Sequence, residues 1–461
     1  MKSVNKIIAL VLIAMIGFGC NKKLDVKPQQ NITPEEITTG DDVKALLFGA
    51  YSLLQNPSAF GERFFLTSDL LANSGQLDFV GTFADYRDLG RKTQISSNAV
   101  SAGMWANSYT IIEIVNTVLD KISLVDEDER QKIEGEAKFI RGIVYFELVN
   151  YYGLPYSAGN ITGNLAVPMV LDPVYEYVAA DHNPSRASVD VVYKQVISDL
   201  TAAAATMEPF GSSGRADKYA AFAFLSRVYM NMANYGAAAA AADSVIEKGG
   251  FGLNVNYSGA FNNANNSSED VFAIQQTSQS NSGTTNNGIS TFYAAYSLEP
   301  PLISGRGDVQ ANAAYFGMFP AGDVRGEYGY EGSNIAGVEG LYTAKWMQFY
   351  KVIPVVRLSE MYLTRGEANF RLGSVTGPPP VNDINAVRER AGASTLAVVT
   401  SADTFIAERF RELGFEGDRL WSLKRTKKAV GLLAYDSPKL VLPIPLRETD
   451  VNKNLLQNPT Y

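Results

Sequence analysis

Cysteine and histidine are almost missing from this chain of 461 residues, which has one of each. Cys20 cannot close an internal disulfide, and with His182 as the lone imidazole no Cys/His zinc set or two-histidine metal face can be assembled. Cations are outnumbered as well. Forty Lys and Arg face 48 Asp and Glu, a net charge of −8, which argues against nucleic acid because that affinity rests on clustered basic groups. No glycine-rich loop followed by Lys-Ser or Lys-Thr is present to cradle phosphates. Beyond the first twenty residues no apolar run approaches the roughly 20 residues that a membrane-spanning helix needs. Charged residues make up 19% of the chain and hydrophobic ones 46%, so intrinsic disorder is excluded and a large core is expected. What is abundant is aromatic: 24 Tyr, 23 Phe and 3 Trp, beside 39 Gly.

The start of the chain has its own logic. Lys2 and Lys6 precede an apolar run over 7–18 that ends in Gly19 and Cys20, short enough for a cleavable export signal. The lone cysteine follows a small residue at that junction, an arrangement that resembles the bacterial lipobox, in which the thiol is acylated. Residues 1–19 are therefore expected to be a lipoprotein signal peptide and 20–40 a lipidated tether, with Thr33, Pro34 and Glu36 in the form of a capping box. Helical spacing of apolar residues then predicts helices over 42–54, 105–122, 133–152 and 187–205. Residues 218–251 read as two helices with small residues facing each other, which resembles a tetratricopeptide unit. A last pair is predicted over 356–372 and 382–390. Two segments, 64–101 and 254–350, are rich in Gly, Asn, Asp and aromatics and are read as loops, where binding residues concentrate. The expected fold class is mostly α, a scaffold of tetratricopeptide-like helical hairpins with a loop-rich half packed on it and minor β. Its single body, 41–461, comprises a helical hairpin region (41–251), a loop-rich ligand region (252–350), and C-terminal helices with a closing segment (351–461).

A series of blocks in fixed order resembles the SusD/RagB family of outer-membrane nutrient-binding lipoproteins. They are Cys20 with Leu24, Asp25, Val26 and Pro28; EAKFIRG at 136–142 leading to YGLP at 152–155; and Tyr193 with Asp199 and Leu200. RLSEMYL at 357–363 follows with Glu367 and Ala368, then Ile384, Asn385, Arg388, Arg390, Ala391 and Gly392. The most specific are RELGFEGDR at 411–419 and the ending LPIP at 442–445 with Asn454, Gln457, Asn458, Pro459 and Tyr461. Gly142, Gly366, Gly414 and Thr460 depart from the residues usual there. The resemblance implies a lid over a SusC-like, TonB-dependent outer-membrane transporter, held at the cell surface by a lipid anchor. It also implies binding of an oligosaccharide, or in some members a peptide, without catalysis; no cofactor is expected and no metal-ligating residue is assigned.

The residues themselves support a binding protein over an enzyme. Glu412, Glu416 and Asp418 could be paired as acids for glycoside hydrolysis. Interleaved with Arg411 and Arg419 on a helical stretch, they read better as structural ion pairs. No catalytic residue is assigned. Sugar capture asks for aromatic planes beside amides, carboxylates and guanidinium groups. The candidate ligand contacts are Asp78, Phe83, Tyr86 and Arg87 from the first loop, and Asn287, Tyr293, Tyr296 and Trp346 from the second. The alternative is a helical-repeat scaffold that binds protein or peptide partners only. Cys20 gives the first test: Cys20→Ala is expected to leave the membrane fraction and lose labelling by a fatty-acid probe, and unchanged membrane retention would refute the anchor.

Overall fold

In the computed structural model the described residues are 36–176, 178, 182–210, 214–297 and 303–461. The expected signal peptide, Cys20, Thr33 and Pro34 lie outside them. The chain divides into two compact units, Met1–Thr38 and Thr39–Tyr461. The first is described only at 36–38, and the architecture below is that of the second.

Its helices begin where side chains can satisfy the free amides of a first turn. Thr39 caps α1 (Gly40–Leu54): its hydroxyl accepts from the Asp42 amide, and the Asp42 carboxylate accepts from the Thr39 amide. Two helices fall in the segment expected to be a loop, α2 (Arg63–Ala72) and α3 (Ala84–Arg91), followed by α4 (Ala99–Asp120), capped by Asn98. Helix α5 (Glu127–Tyr152) starts one and a half turns earlier than apolar spacing indicates. Its first turn, Glu127, Asp128 and Glu129, is acidic, with Glu127 and Asp128 exposed, and suits the positive end of a helix dipole. Helices α6 (Val189–Thr206), α7 (Lys218–Asn231) and α8 (Tyr235–Lys248) are capped by Ser188, Asp217 and Asn234.

Five strands and short helices come next: β2 (Asp270–Ile274), α9 (Ile289–Tyr293), β3 (Tyr296–Ser297), β4 (Ile303–Ser304), β5 (Val309–Ala311), α10 (Ala313–Phe316) and β6 (Gly329–Ser333), with β1 (Leu77–Phe79) contributed from before α3. The chain closes with β7 (Glu339–Thr343), β8 (Ile353–Arg357), α11 (Leu358–Leu372), α12 (Pro380–Arg390), α13 (Ala402–Glu412), α14 (Arg419–Arg425) and α15 (Leu446–Val451). Val356 and Arg357, expected to open a helix, belong instead to β8, which pairs with β2.

Successive long helices pack on one another in the order α1, α4, α5, α6, α7, α8, α11, α12, the stacking expected of helical hairpins that each bury one stripe. At the α7, α8 and α11 junction the contact is made by Met230, Ala238, Ala239 and Ala368, so small side chains allow close approach as the sequence indicates. Strands β1, β5, β7, β6, β3 and β4 form an antiparallel sheet in that order. The fold is thus mostly α, with tetratricopeptide-like hairpins and a minor β component in the segment of 254–350.

A buried charge network joins that β-bearing segment to the C-terminal helices. Arg357, 1% exposed, donates to Glu269 (2.9 Å), Glu412 (2.9 Å) and twice to Glu416 (2.8 Å each). Arg325 donates to Asp323 (2.7 Å), Glu408 and Glu412 (3.2 Å). Arg390 bridges Glu269 and Glu412, and Lys345 donates to Glu416 (2.6 Å) and to the carbonyls of Glu412 (2.9 Å) and Gly414 (2.8 Å). The family block at 411–419 is therefore structural, as its charge pattern indicates, although the geometry differs from an i,i+4 pair. Helix α13 stops at Glu412, and a turn with positive φ at Phe415 and Gly417 carries Glu416 back to the same arginine. Tyr315 docks on this turn from the β-bearing segment. Its hydroxyl oxygen sits 2.1 Å from where a side chain at Gly414 would place its Cβ, which accounts for glycine at that position.

Burial by itself would raise the Glu412 carboxyl, but Arg390, Arg357, Arg325 and Lys345 hold it well below the usual carboxylate range. Its stabilising charge is fully present above the unfolded value of about 4.5 and is lost as pH falls below it. Glu412→Gln leaves three buried cations under-compensated and is expected to cost about 3 to 5 kcal/mol. Denaturant unfolding against pH should show the deficit at pH 7 and its narrowing below pH 4.5; a pH-independent or absent deficit would refute the assignment.

Candidate functional site

The two aromatic segments read as ligand loops are brought together by strand pairing. β1 lies against β5 with Asp78 opposite Gln310, and Asn312 donates a long hydrogen bond (3.5 Å) to the exposed Asp78 carboxylate. Around this junction the candidate residues separate into two groups.

Tyr86, Tyr293 and Trp346 are not in loops offering a face to solvent, which corrects the expectation for all three. Tyr86, on α3, is 4% exposed and packs among Phe79, Phe83 and Phe292 while its hydroxyl donates to Glu62. Tyr293, the last residue of α9, is fully buried and donates to Asp69 (2.6 Å). Trp346 donates its indole N–H to the Phe415 carbonyl (2.8 Å) and packs between Phe65 and Phe261. The partners explain why: Glu62 and Asp69 lie on or beside α2, an element periodicity does not show because nearly every residue of it is buried. Burial pushes both carboxyls up to about 7, against the opposing pull of Arg63 at Glu62 and of the Tyr293 hydroxyl at Asp69. The two acids also accept the amides of Gly288 (2.7 Å) and Gly417 (3.2 Å), so these tyrosine latches fasten α9 and the 411–419 turn onto α2.

The remaining candidates stay accessible. Phe83 is half-buried, and the Arg306 guanidinium lies over its ring, 4.9 Å from the centroid. Arg306 is itself oriented by Asp308 (2.9 Å) and lies within 3.5 Å of Asn286 and Thr82. Arg87 is half-buried on α3, and Asn287 is exposed just before α9. Tyr296 lies elsewhere, on β3, at the wall of an open groove.

That groove, about 810 Å³ in volume, is lined by Tyr296, Tyr330, Glu331, Ser333, Glu339, Leu341 and Met347, with Ala295, Gly332 and Gly340. Antiparallel register sets its floor. Tyr296 is opposite Ser333, Ser333 opposite Glu339, and Glu331 opposite Leu341, so these side chains share one face of the sheet. On the other face Gly332 pairs with Gly340, where a Cβ would strike Ala295 and Gln310 respectively. The hairpin that carries the floor is closed by Asn334, whose carboxamide oxygen accepts the amides of Ala336 and Val338 (2.9 Å each). By contrast, the interior cavity between α5, α7 and α14, beside Glu147 and Arg227, holds about 60 Å³. Ligand sites commonly span about 300 to 1,000 Å³, which favours the groove. Glu331, Ser333, Glu339 and Met347 were not foreseen. The alternation over 329–333 and 339–343 around a Gly-bearing turn is the hairpin signal that could have found them.

Among the described residues no group of three or more His, Cys, Asp or Glu could hold a metal ion, and no helix is long and apolar enough to cross a membrane. Glu412 and Glu416 are engaged by guanidinium groups deep in the interior, away from the groove.

A hairpin array carrying an aromatic-walled groove defines a helical-repeat binding protein. Family models narrow this: residues 22–230 match a SusD-like family described as "Starch-binding associating with outer membrane", and residues 347–439 match the SusD family. The chain belongs to the SusD/RagB family. It is 26% identical to SusD-like protein P25 of Formosa agariphila over 58% of this chain and 51% of that protein, so this match spans about half of the relative's length. It is 24% identical to SusD-like protein P38 of the same organism over 99% of both. A crystal structure of a SusD superfamily protein from Bacteroides thetaiotaomicron superposes with a TM-score of 0.79 at 25% identity, covering 91% of this chain and all of that one.

Because Tyr86 and Tyr293 are buried latches, truncating either is expected to reach the fold first. Tyr86→Ala and Tyr293→Ala should each cost about 3 to 5 kcal/mol by denaturant unfolding. A change below about 1 kcal/mol would show that the rings are not core.

Proposed function

We propose that this protein captures an oligosaccharide at the cell surface, without altering it, and delivers it to a SusC-like TonB-dependent transporter of the outer membrane. In this reading Cys20 carries the lipid anchor. The observation that carries the proposal is the groove on the β3, β6 and β7 face: Tyr296 at its wall offers a ring to the apolar C–H face of a sugar, and Ser333, Glu331 and Glu339 offer oxygens to its hydroxyls. The family description as starch-binding and outer-membrane-associated supports both the ligand class and the location. Capture by stacking and hydrogen bonding asks for no catalytic base, and none of the carboxylates in the family block at 411–419 is free to act as one. Phe83 with Arg306, and Asp78, Arg87 and Asn287 near the β1 and β5 junction, offer a second contact area for a long chain.

Calorimetry against maltoheptaose, laminariheptaose, cellohexaose and a peptide panel tests this. At least one glycan should bind and be recovered intact. Tyr296→Ala should weaken it by roughly tenfold or more, the usual cost of removing a central aromatic, with little loss of stability because Tyr296 is only half-buried. Binding of peptides alone, or release of shortened products, would overturn the proposal.

A further inference from the structure

We infer that the groove selects uncharged oligosaccharides and turns anionic ones away. This rests on the groove being the capture site and names the class of glycan it takes. The described residues lining it include two carboxylates, Glu331 and Glu339, and no Lys, Arg or His. Both are exposed, and neither forms an ion pair with a described residue. Strand register puts them on the same face as Tyr296, with Ser333 directly across from Glu339.

The cations that flank this hairpin are engaged elsewhere. Arg325 and Lys345 flank the β6 to β7 hairpin in sequence, but Arg325 is held by Asp323 and Glu412, and Lys345 by Glu416 and two carbonyls, all within the buried network. Arg306, whose carbonyl accepts the Ile335 amide at the hairpin tip, is engaged by Asp308 and lies over the Phe83 ring. The same charge pairing that holds the segment together therefore leaves its outer face negative. A uronate or sulfate group stacked on Tyr296 would lie between like charges with no counter-charge, an element of repulsion that gives specificity without any added attraction. A neutral sugar meets no such cost, and its hydroxyls can donate to both carboxylates.

The prediction concerns a ratio of affinities. Maltoheptaose, laminariheptaose and cellohexaose are each compared with the counterpart whose C6 hydroxyls have been oxidised to carboxylates, at 50 mM and at 1 M NaCl. Any neutral oligomer that binds should bind at least about tenfold more tightly than its oxidised form at low salt. The gap should shrink at 1 M, where the screening length falls to about 3 Å. In Glu331→Gln/Glu339→Gln, shown folded by its unchanged melting transition, the ratio should fall toward one. Equal or tighter binding of an oxidised oligomer by the wild type would overturn this inference and leave glycan capture standing. A ratio that persists in the double variant would remove Glu331 and Glu339 as its source and so also overturn it. Binding of no glycan at all would overturn the capture reading, and this inference with it.

Discussion

The interaction on which this structure depends is the pairing of Arg357 with Glu269, Glu412 and Glu416. Removing four charges from water is costly unless each oxygen and N–H finds a partner, and here the guanidinium and its three carboxylates come from three parts of the chain. Glu269 precedes β2, Arg357 ends β8, and Glu412 and Glu416 bracket the turn after α13. Arg325, Arg390 and Lys345 extend the network until the β-bearing segment is fastened to the C-terminal helices. Such pairing specifies register and position more than it adds net stability, because a displaced partner leaves an uncompensated buried charge.

Position is what a capture site needs. The groove sits on a sheet of short strands, several only two to five residues long, which would be marginal alone. Two sets of anchors hold it: the charge network behind β6 and β7, and the Tyr86 and Tyr293 latches that tie α3 and α9 to α2. The second consumes two tyrosines that the sequence reading gives to ligand. The outward face of the groove keeps the half-buried Tyr296, the Ser333 hydroxyl and two carboxylates, Glu331 and Glu339, among its lining.

Much of the scaffold was legible in the sequence because amphipathic helices declare themselves by spacing, and because α7 and α8 carry alanines where they must touch. The ion-pair reading of Glu412 and Glu416 also stood, since carboxylates interleaved with arginine rarely remain free. The pieces that escaped did so for separate physical reasons. Helix α2 is buried nearly all round, so it lacks a polar stripe. Helix α3 and strands β1, β3 and β4 are too short for a period to register. Tyr86 and Tyr293 looked like ligand contacts because an aromatic in a Gly- and Asp-rich stretch gives no sign of the buried acid, Glu62 or Asp69, that will claim its hydroxyl. Tyr296 differs from them in lying on a strand, half-buried at the wall of the groove.

The most direct measurement of the account is a crystal structure of this protein with an oligosaccharide that calorimetry shows to bind. A sugar ring stacked on Tyr296, with hydroxyls reaching Glu331, Ser333 or Glu339 and the Arg357 network undisturbed, is the result predicted. A sugar seated away from the β3, β6 and β7 face, or one reached only by breaking the Tyr293 or Tyr86 latch, would contradict it.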